Sequence, residues 1–428
     1  MNSFGIACVH HDDDPIHLSS SSSTTSTSSS ASSTPKTSSP PTSSHPIALT
    51  FSRDSTILIA GQSDSSLLLY NASTSKQINT YRQLELGISL VEPTHHRYAV
   101  ICSPARKGFS EHHKKMTQVQ ANRLYCWDLF SNHIVAYLKG HDDDIQSMNA
   151  CLSDESIVST DIRGVVRLWD LRSGVQCVTS TSCGAQVPCA AGFSCDGRLL
   201  AIAGVDTENQ PQVNIFDRRR LSAGPLSTTS HHVWNIKTKS EKAGGSGSMF
   251  GFSRIKFSPN GDMILATPYE VKGSTYTRKA DRPPMHTVLS KQDQGDASSN
   301  MLYTVADDLG LEREIRKGMP RLKRPEASFS SDSKHILFGD EGKVIQVWKK
   351  LTKDETTEEM YQRQQVKAET GKDYGSPRPL KNGGLLRVAK WEGHMSSIGP
   401  IRWSPKTNLV ASGGGNLLMW RVKNINRE

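Results

Sequence analysis

The sequence predicts an all-β chain built as a ring of seven four-stranded blades, a β-propeller with disordered insertions. Three observations predict it. From residue 46 onward, short runs rich in Val, Ile and Leu alternate with Ser-Asp, Asp-Gly and Asn-Gly turn signals. The run–turn–run unit recurs along the chain. Its third run tends to end on an aromatic residue, three times followed by Asp, at Trp127-Asp128, Trp169-Asp170 and Phe216-Asp217.

The units can be taken in order. "IALTFSRDSTILIAGQSDSSLLLYN" starts at 47, and a degenerate unit, "ISLVEPTHHRYAVICS" then "NRLYCWDL", starts at 88. "IQSMNACLSDESIVSTDIRGVVRLWDL" starts at 145, and "VPCAAGFSCDGRLLAIAG" with "QVNIFDRR" at 187. "FSRIKFSPNGDMILATP" starts at 252, "PEASFSSDSKHILFGDEGKVIQVWKK" at 325 and "IGPIRWSPKTNLVASGGGNLLMWRV" at 398. The last unit stops after its third strand. "FGIACVH", near the start of the chain, is expected to supply the fourth and close the ring. Residues 1–18 are thus the closing segment, 19–44 an insertion, and 45–428 the propeller.

The chain has 428 residues with a formal charge of +9. The hydrophobic fraction, 35%, is low for a globular chain of this size, so polar tracts must dilute a smaller core. Residues 19–44 hold five residues that are neither Ser nor Thr. Nothing there offsets the entropy of ordering, so the tract is expected to be disordered. Thr34-Pro35 and Ser39-Pro40 within it fit proline-directed kinases. No apolar run reaches the length of a membrane span, and the N-terminal residues lack the pattern of a secretory signal, so a soluble intracellular protein is expected. Cys177, Cys183, Cys189 and Cys195 fall six apart, a spacing that matches no zinc template, and are read as reduced thiols. No cofactor or metal is expected. There is no phosphate loop, no HExxH and no G-x-S-x-G. Asp170 is therefore read as a turn-forming residue rather than a catalytic carboxylate, and the protein as a non-enzyme.

Gly140-His141 and Gly393-His394, each ahead of a unit ending in Trp, resemble the Gly-His to Trp-Asp span of WD-repeat propellers. That resemblance implies a network in which the His bonds a turn Asp and, through a Ser hydroxyl, the Trp indole. His141, Ser159 and Trp169 match in the third blade, with Asp170 after the Trp. His394, Ser412 and Trp420 match in the seventh. The turn Asp is expected to be missing from both, since Arg163 and Gly414 occupy the positions counted back from each Trp. The networks are thus expected to be partial.

More specifically, "LLLYNASTSKQINTYRQLELGISLVEPTHH", "GVVRLWDLRSG", "FSCDGRLLAIAGV", "FDRRRLSAGP", "GFSRIKFSPNGDMIL" and "SPKTNLVASGGGNLLMW" resemble one branch of that family. It is the small propeller shared by COMPASS-type histone H3 lysine-4 methyltransferase complexes, the cleavage and polyadenylation machinery and a nuclear phosphatase assembly. The resemblance implies a nuclear, non-catalytic adaptor that holds larger catalytic subunits and helps bring them to transcribing RNA polymerase II through its Ser-phosphorylated tail. A different class, the substrate receptor of a cullin-RING ubiquitin ligase, is suggested by Trp169-Asp170-x-Arg172 and by Asp217-x-Arg219. That box is common in propellers, so it discriminates poorly.

Insertions are expected near 104–121, 231–250, 271–300 and 317–325 on one face, and at 352–384, with a short polar helix, on the other. The same-face segments are basic. Arg106, Lys107, Lys114 and Lys115, with Lys317, Arg321, Lys323 and Arg324, are the candidate partner-binding residues, since guanidinium groups recognise phosphate well. Direct nucleic-acid binding is not expected, because these loops lack interleaved aromatic residues.

Overall fold

The computed structural model describes residues 8–9, 44–82, 86–105, 122–173, 177–182, 189–205, 211–230, 250–270, 286–291, 303–309, 326–339, 343–370, 378–380 and 383–422. These form seven antiparallel sheets arranged as the blades of a propeller. Blade one is Pro46–Phe51, Ile57–Gln62, Ser66–Asn71 and Gln77–Arg82. Blade two is Leu90–Pro93, Ala99–Ser103, Leu124–Asp128 and His133–Leu138. Blade three is Ile145–Ala150, Ser156–Asp161, Val165–Asp170 and Cys177–Ser182. Blade four is Ala190–Phe193, Leu199–Val205, Pro211–Asp217 and Ser227–Ser230.

Blade five is Phe250–Phe257, Met263–Glu270, His286–Lys291 and Tyr303–Leu309. Its third strand falls inside the expected 271–300 insertion, which is therefore two shorter segments. The first, 271–285, joins the second strand to the third, and 292–302 joins the third to the fourth, so the two leave from opposite faces. "HTVLSK" is short and ends on no aromatic residue, so it escaped the pattern of the other units. Blade six is Ala327–Phe329, His335–Gly339, Val344–Leu351 and Gly383–Glu392, with a fifth strand, Arg378–Leu380, on its rim. That strand lies within the expected 352–384 insertion, which also carries a helix, Lys353–Thr370. Blade seven is Ile398–Trp403, Leu409–Gly414 and Asn416–Arg421. Cys8–Val9 completes it, with Cys8 opposite Met419 and Val9 opposite Leu418.

First strands pack against first strands of neighbouring blades, so they line the axis and the fourth strands form the rim. Burial follows this order. The second strands of blades one and three are buried at every position, whereas the fourth strands of blades one to three are mostly or alternately solvent-facing. An apolar cluster seals each junction of the ring. Leu49, Phe51 and Tyr70 of blade one meet Leu409 and Met419 of blade seven, closing it, while Phe252 and Phe257 of blade five meet Val213 and Ile215 of blade four. Two glycines permit close approaches between blades. A Cβ on Gly192 would come within 2.6 Å of the Ile255 carbonyl oxygen, and one on Gly339 within 2.5 Å of Ile398 Cβ.

The Ser-x-Asp/Asn signals make one recurring turn after the first strand. Ser52, Ser194, Ser258 and Ser330 each donate to the Asp or Asn two residues on. Each then accepts the backbone N–H five residues on, at 2.8–3.0 Å. The turn needs a left-handed residue, supplied by Gly197 and Gly261 at φ 70° and 75°, and at a steric cost by Ser55 and Ser333 at 63° and 60°.

Candidate functional site

The two Gly-His elements each build a four-member buried chain. In blade three, Trp169 Nε1 donates to Ser159 Oγ at 2.8 Å, and Ser159 Oγ lies 2.7 Å from His141 Nε2. His141 Nδ1 lies 3.1 Å from Asp161 Oδ2. In blade seven, Trp420 Nε1 donates to Ser412 Oγ at 2.7 Å, which lies 2.7 Å from His394 Nε2, and His394 Nδ1 lies 3.0 Å from Asn416 Oδ1. One proton arrangement satisfies both chains: indole N–H to hydroxyl, hydroxyl O–H to Nε2, and Nδ1–H to the amide or carboxylate oxygen. The networks are therefore complete, not partial. Asp161, which ends the second strand, fills the place that was counted onto Arg163. Asn416, which starts the third strand, fills the place counted onto Gly414. Burial, opposed by the bonds from Asn416, pushes the His394 imidazole down to about 4.

Asp170 sits at the end of the third strand. Its Oδ1 accepts the Arg172 backbone N–H at 3.0 Å, and Arg172 Nη2 bonds Oδ2 at 3.1 Å. Asp128 plays the same backbone part for Phe130 N at 3.0 Å, and Asp217 for Arg219 N at 2.9 Å. These carboxylates shape turns. Bonds from the Arg172 side chain and backbone hold Asp170 below the usual carboxylate range. Cys102, Cys126, Cys151, Cys177, Cys189 and Cys195 are free thiols. No cluster of potential metal ligands occurs among the described residues.

Arg106, Lys107, Lys114 and Lys115, and Lys317, Arg321, Lys323 and Arg324, lie outside the described residues, as do 10–43 and 231–249. The strands that flank 106–121, 231–249, 271–285 and 310–325 carry these segments away on one face. They leave either between second and third strands or between blades.

Two further features went unread in the sequence. One is a cleft of about 560 Å³ beside blade two, where Arg97 lies over the Tyr98 ring, 5.6 Å from its centroid, and Phe130 is 86% exposed. The other is a charged cluster on the axis. Arg254 and Lys256 alternate along the first strand of blade five and so point the same way. Arg254 Nε bonds Glu326 Oε1 at 2.7 Å and its Nη1 reaches the Met148 carbonyl of blade three at 3.2 Å. Arg402, in blade seven, bonds the Leu49 carbonyl at 2.8 Å and Glu92 Oε1 of blade two at 2.9 Å. Gln146 returns a bond from blade three to the Phe252 carbonyl at 3.3 Å. Three of these contacts, Arg254 to Met148, Arg402 to Glu92 and Gln146 to Phe252, tie blades that are not neighbours. Burial opposes charge on Glu326, but Arg402, Arg254 and Lys256 outweigh it and hold its carboxyl far below the usual range. The available signal was a cation inside an apolar first strand, directly ahead of an aromatic-Ser-Pro turn, as in "SRIKFSPNG" and "PIRWSPKT".

No protein-family model matches the chain. It is 23% identical to Protein ANTHESIS POMOTING FACTOR 1 of Arabidopsis thaliana, across 86% of this chain and 85% of that protein. It is 22% identical to WD repeat-containing protein 82 of Drosophila melanogaster, across 87% and 89%. It is 26% identical to the Set1 complex component swd2 of Schizosaccharomyces pombe, across 44% and 48%. Among solved structures, the β-propeller domain of Myceliophteria thermophila Cps50 (Swd1) matches with a TM-score of 0.55 at 12% identity, covering 89% of this chain and 96% of that one. That likeness speaks to the fold alone.

Proposed function

We propose that this seven-bladed WD-repeat propeller is a non-catalytic adaptor in the nucleus. It serves a COMPASS-like histone H3 lysine-4 methyltransferase complex, the mRNA 3′-end processing machinery, or both, and links its complex to transcribing RNA polymerase II. The observation that carries this reading is similarity over nearly the whole chain to WD repeat-containing protein 82, joined by a half-length match to a Set1 complex component. Asp128, Asp170 and Asp217 spent on turns support a scaffold role. The basic segments around Arg106–Lys115 and Lys317–Arg324 are assigned to the phosphorylated polymerase tail.

Affinity purification of the full chain followed by mass spectrometry tests the proposal. SET-domain or polyadenylation subunits are the expected partners. A cullin adaptor in their place would transfer the protein to the ubiquitin-ligase class. Titration with a Ser-phosphorylated tail peptide and its unphosphorylated twin tests the finer claim. Equal affinity for the two, or binding untouched by reversing both basic clusters, would remove these segments from the mechanism. Such binding should weaken with salt, because exposed charges are screened over about 10 Å at 0.1 M.

A further inference from the structure

The axial cluster is more than a tie between blades. It holds three cations, Arg254, Lys256 and Arg402, against two carboxylates, Glu92 and Glu326. All are largely buried, with side-chain exposures from 7% to 14%. With Lys256 protonated, one positive charge is left over where unbalanced charge is costly. The contacts inside the cluster do not close either. Lys256 Nζ donates to the Ala327 carbonyl at 2.8 Å but stops 3.9 Å from Glu326 Oε2. Arg402 Nε also stops 3.9 Å from that oxygen, which is buried without a hydrogen-bond partner.

Beside the cluster is a cavity of about 230 Å³ that opens on the face of the Ser-x-Asp/Asn turns. Lys256, Arg402 and Glu92 line its floor, and Phe193, Phe257 and Trp403 stand among its walls. It is several times the roughly 30 Å³ that a water molecule occupies in the liquid. Burial, then Arg402 and Arg254, push the Lys256 ammonium below its ordinary range, against Glu326 and Glu92.

We infer that this axial cavity binds a carboxylate, with Lys256 and Arg402 as its donors and the aromatic walls covering the alkyl group that carries it. The charge count favours a monoanion. A carboxylate neutralises the surplus, whereas a phosphate dianion would replace a buried positive charge with a negative one. The inference is independent of the adaptor reading, since it rests on the axis and not on the basic segments.

Pulse labelling of the full chain with acetic anhydride across pH, read by mass spectrometry, tests it. Lys256 is followed against exposed Lys406. N-acetylglutamic acid α-amide presents a side-chain carboxylate, N-acetylalanine a terminal one, and N-acetylglutamine α-amide is the uncharged control. Either carboxylate should raise the half-labelling pH of Lys256 by about one unit, a tenfold drop in reactivity at fixed pH, leaving Lys406 unchanged. Response to one carboxylate alone supports the site and identifies which source it takes. That carboxylate should also raise the melting temperature of the wild type, and Lys256→Met, which leaves the cluster balanced, should abolish that rise. No response to either acid, an equal response to the glutamine control, or a stronger response to inorganic phosphate would overturn the inference. The wild-type labelling decides it even if the variant fails to fold.

Discussion

Blades three and seven build the same buried chain from different fourth members, and the difference separates shape from charge. Both place Trp, Ser and His with matching bond lengths. Blade three finishes with a carboxylate: Asp161 takes His141 and the backbone N–H groups of Arg163 and Val165. Blade seven finishes with an amide: Asn416 takes His394 and Met395 N, and donates to the Gly393 carbonyl. The turn explains the exchange. In blade three, residues 162–164 separate the second and third strands. In blade seven, Gly415 alone does so, at φ 41°, which moves the polar residue from the end of one strand to the start of the next. A correctly aimed oxygen is enough for the neutral network, and a negative charge is not required.

The largest expected effect tests what the blades share. Trp169→Ala and Trp420→Ala should each cost about 3–5 kcal/mol, measured by urea denaturation. A loss confined to one of them would show that only one chain supports its blade.

The second test is acid, applied to blade seven. His394 sits near 4 in the fold against 6.5 for a free imidazole. The unfolded state therefore binds a proton that the fold refuses. The associated stability is complete above about pH 6.5 and is lost as pH falls toward 4, by on the order of 3 kcal/mol. Asn416→Asp places a carboxylate beside the ring, so the His394 titration followed by NMR should move upward and the acid loss should shrink. An unmoved titration would deny Asn416 its place in the network.

A smaller effect separates the fourth members directly. Asp161→Ala leaves three donors unsatisfied and should cost about 1–3 kcal/mol, more than Asn416→Ala, which strips two donors and one acceptor. The reverse order, read from thermal melts, would mean that the tight turn at Gly415 depends on Asn416. The smallest effect lies outside both chains. Asp170→Asn keeps an acceptor for the Arg172 N–H in a solvent-facing turn and should change stability by under about 1 kcal/mol.

Seven blades, their order and the networks' His, Ser and Trp members were legible because each depends on local pattern: apolar runs, turn residues and a Gly-His ahead of a Trp. Asp161 and Asn416 were not, because counting residues back from Trp ignores turn length, whereas a hydrogen bond depends on position in space. His286–Lys291 was missed because its strand is fixed by the neighbours it pairs with, Met263–Ala266 and Tyr303–Leu309, more than by its own composition. The axial cluster gathers residues from four blades, so no window of sequence contains it.

The pairing of Cys8–Val9 with Asn416–Arg421 has a consequence for how the protein is made. The ribosome releases Cys8–Val9 ahead of the first blade and Asn416–Arg421 only after the other strands of all seven, so the clasp cannot form until the ring between them has been synthesised. Loop-closure entropy tolerates such a span, since each doubling of length adds only about 0.6 kcal/mol. The waiting period is the greater hazard. An arc that has not yet closed presents Leu49, Phe51 and Leu58 at one end without Leu409, Leu417 and Met419 to cover them. A nascent or prematurely stopped chain therefore carries a sticky apolar end that the finished ring hides, and it is at this stage that aggregation and chaperone capture should concentrate.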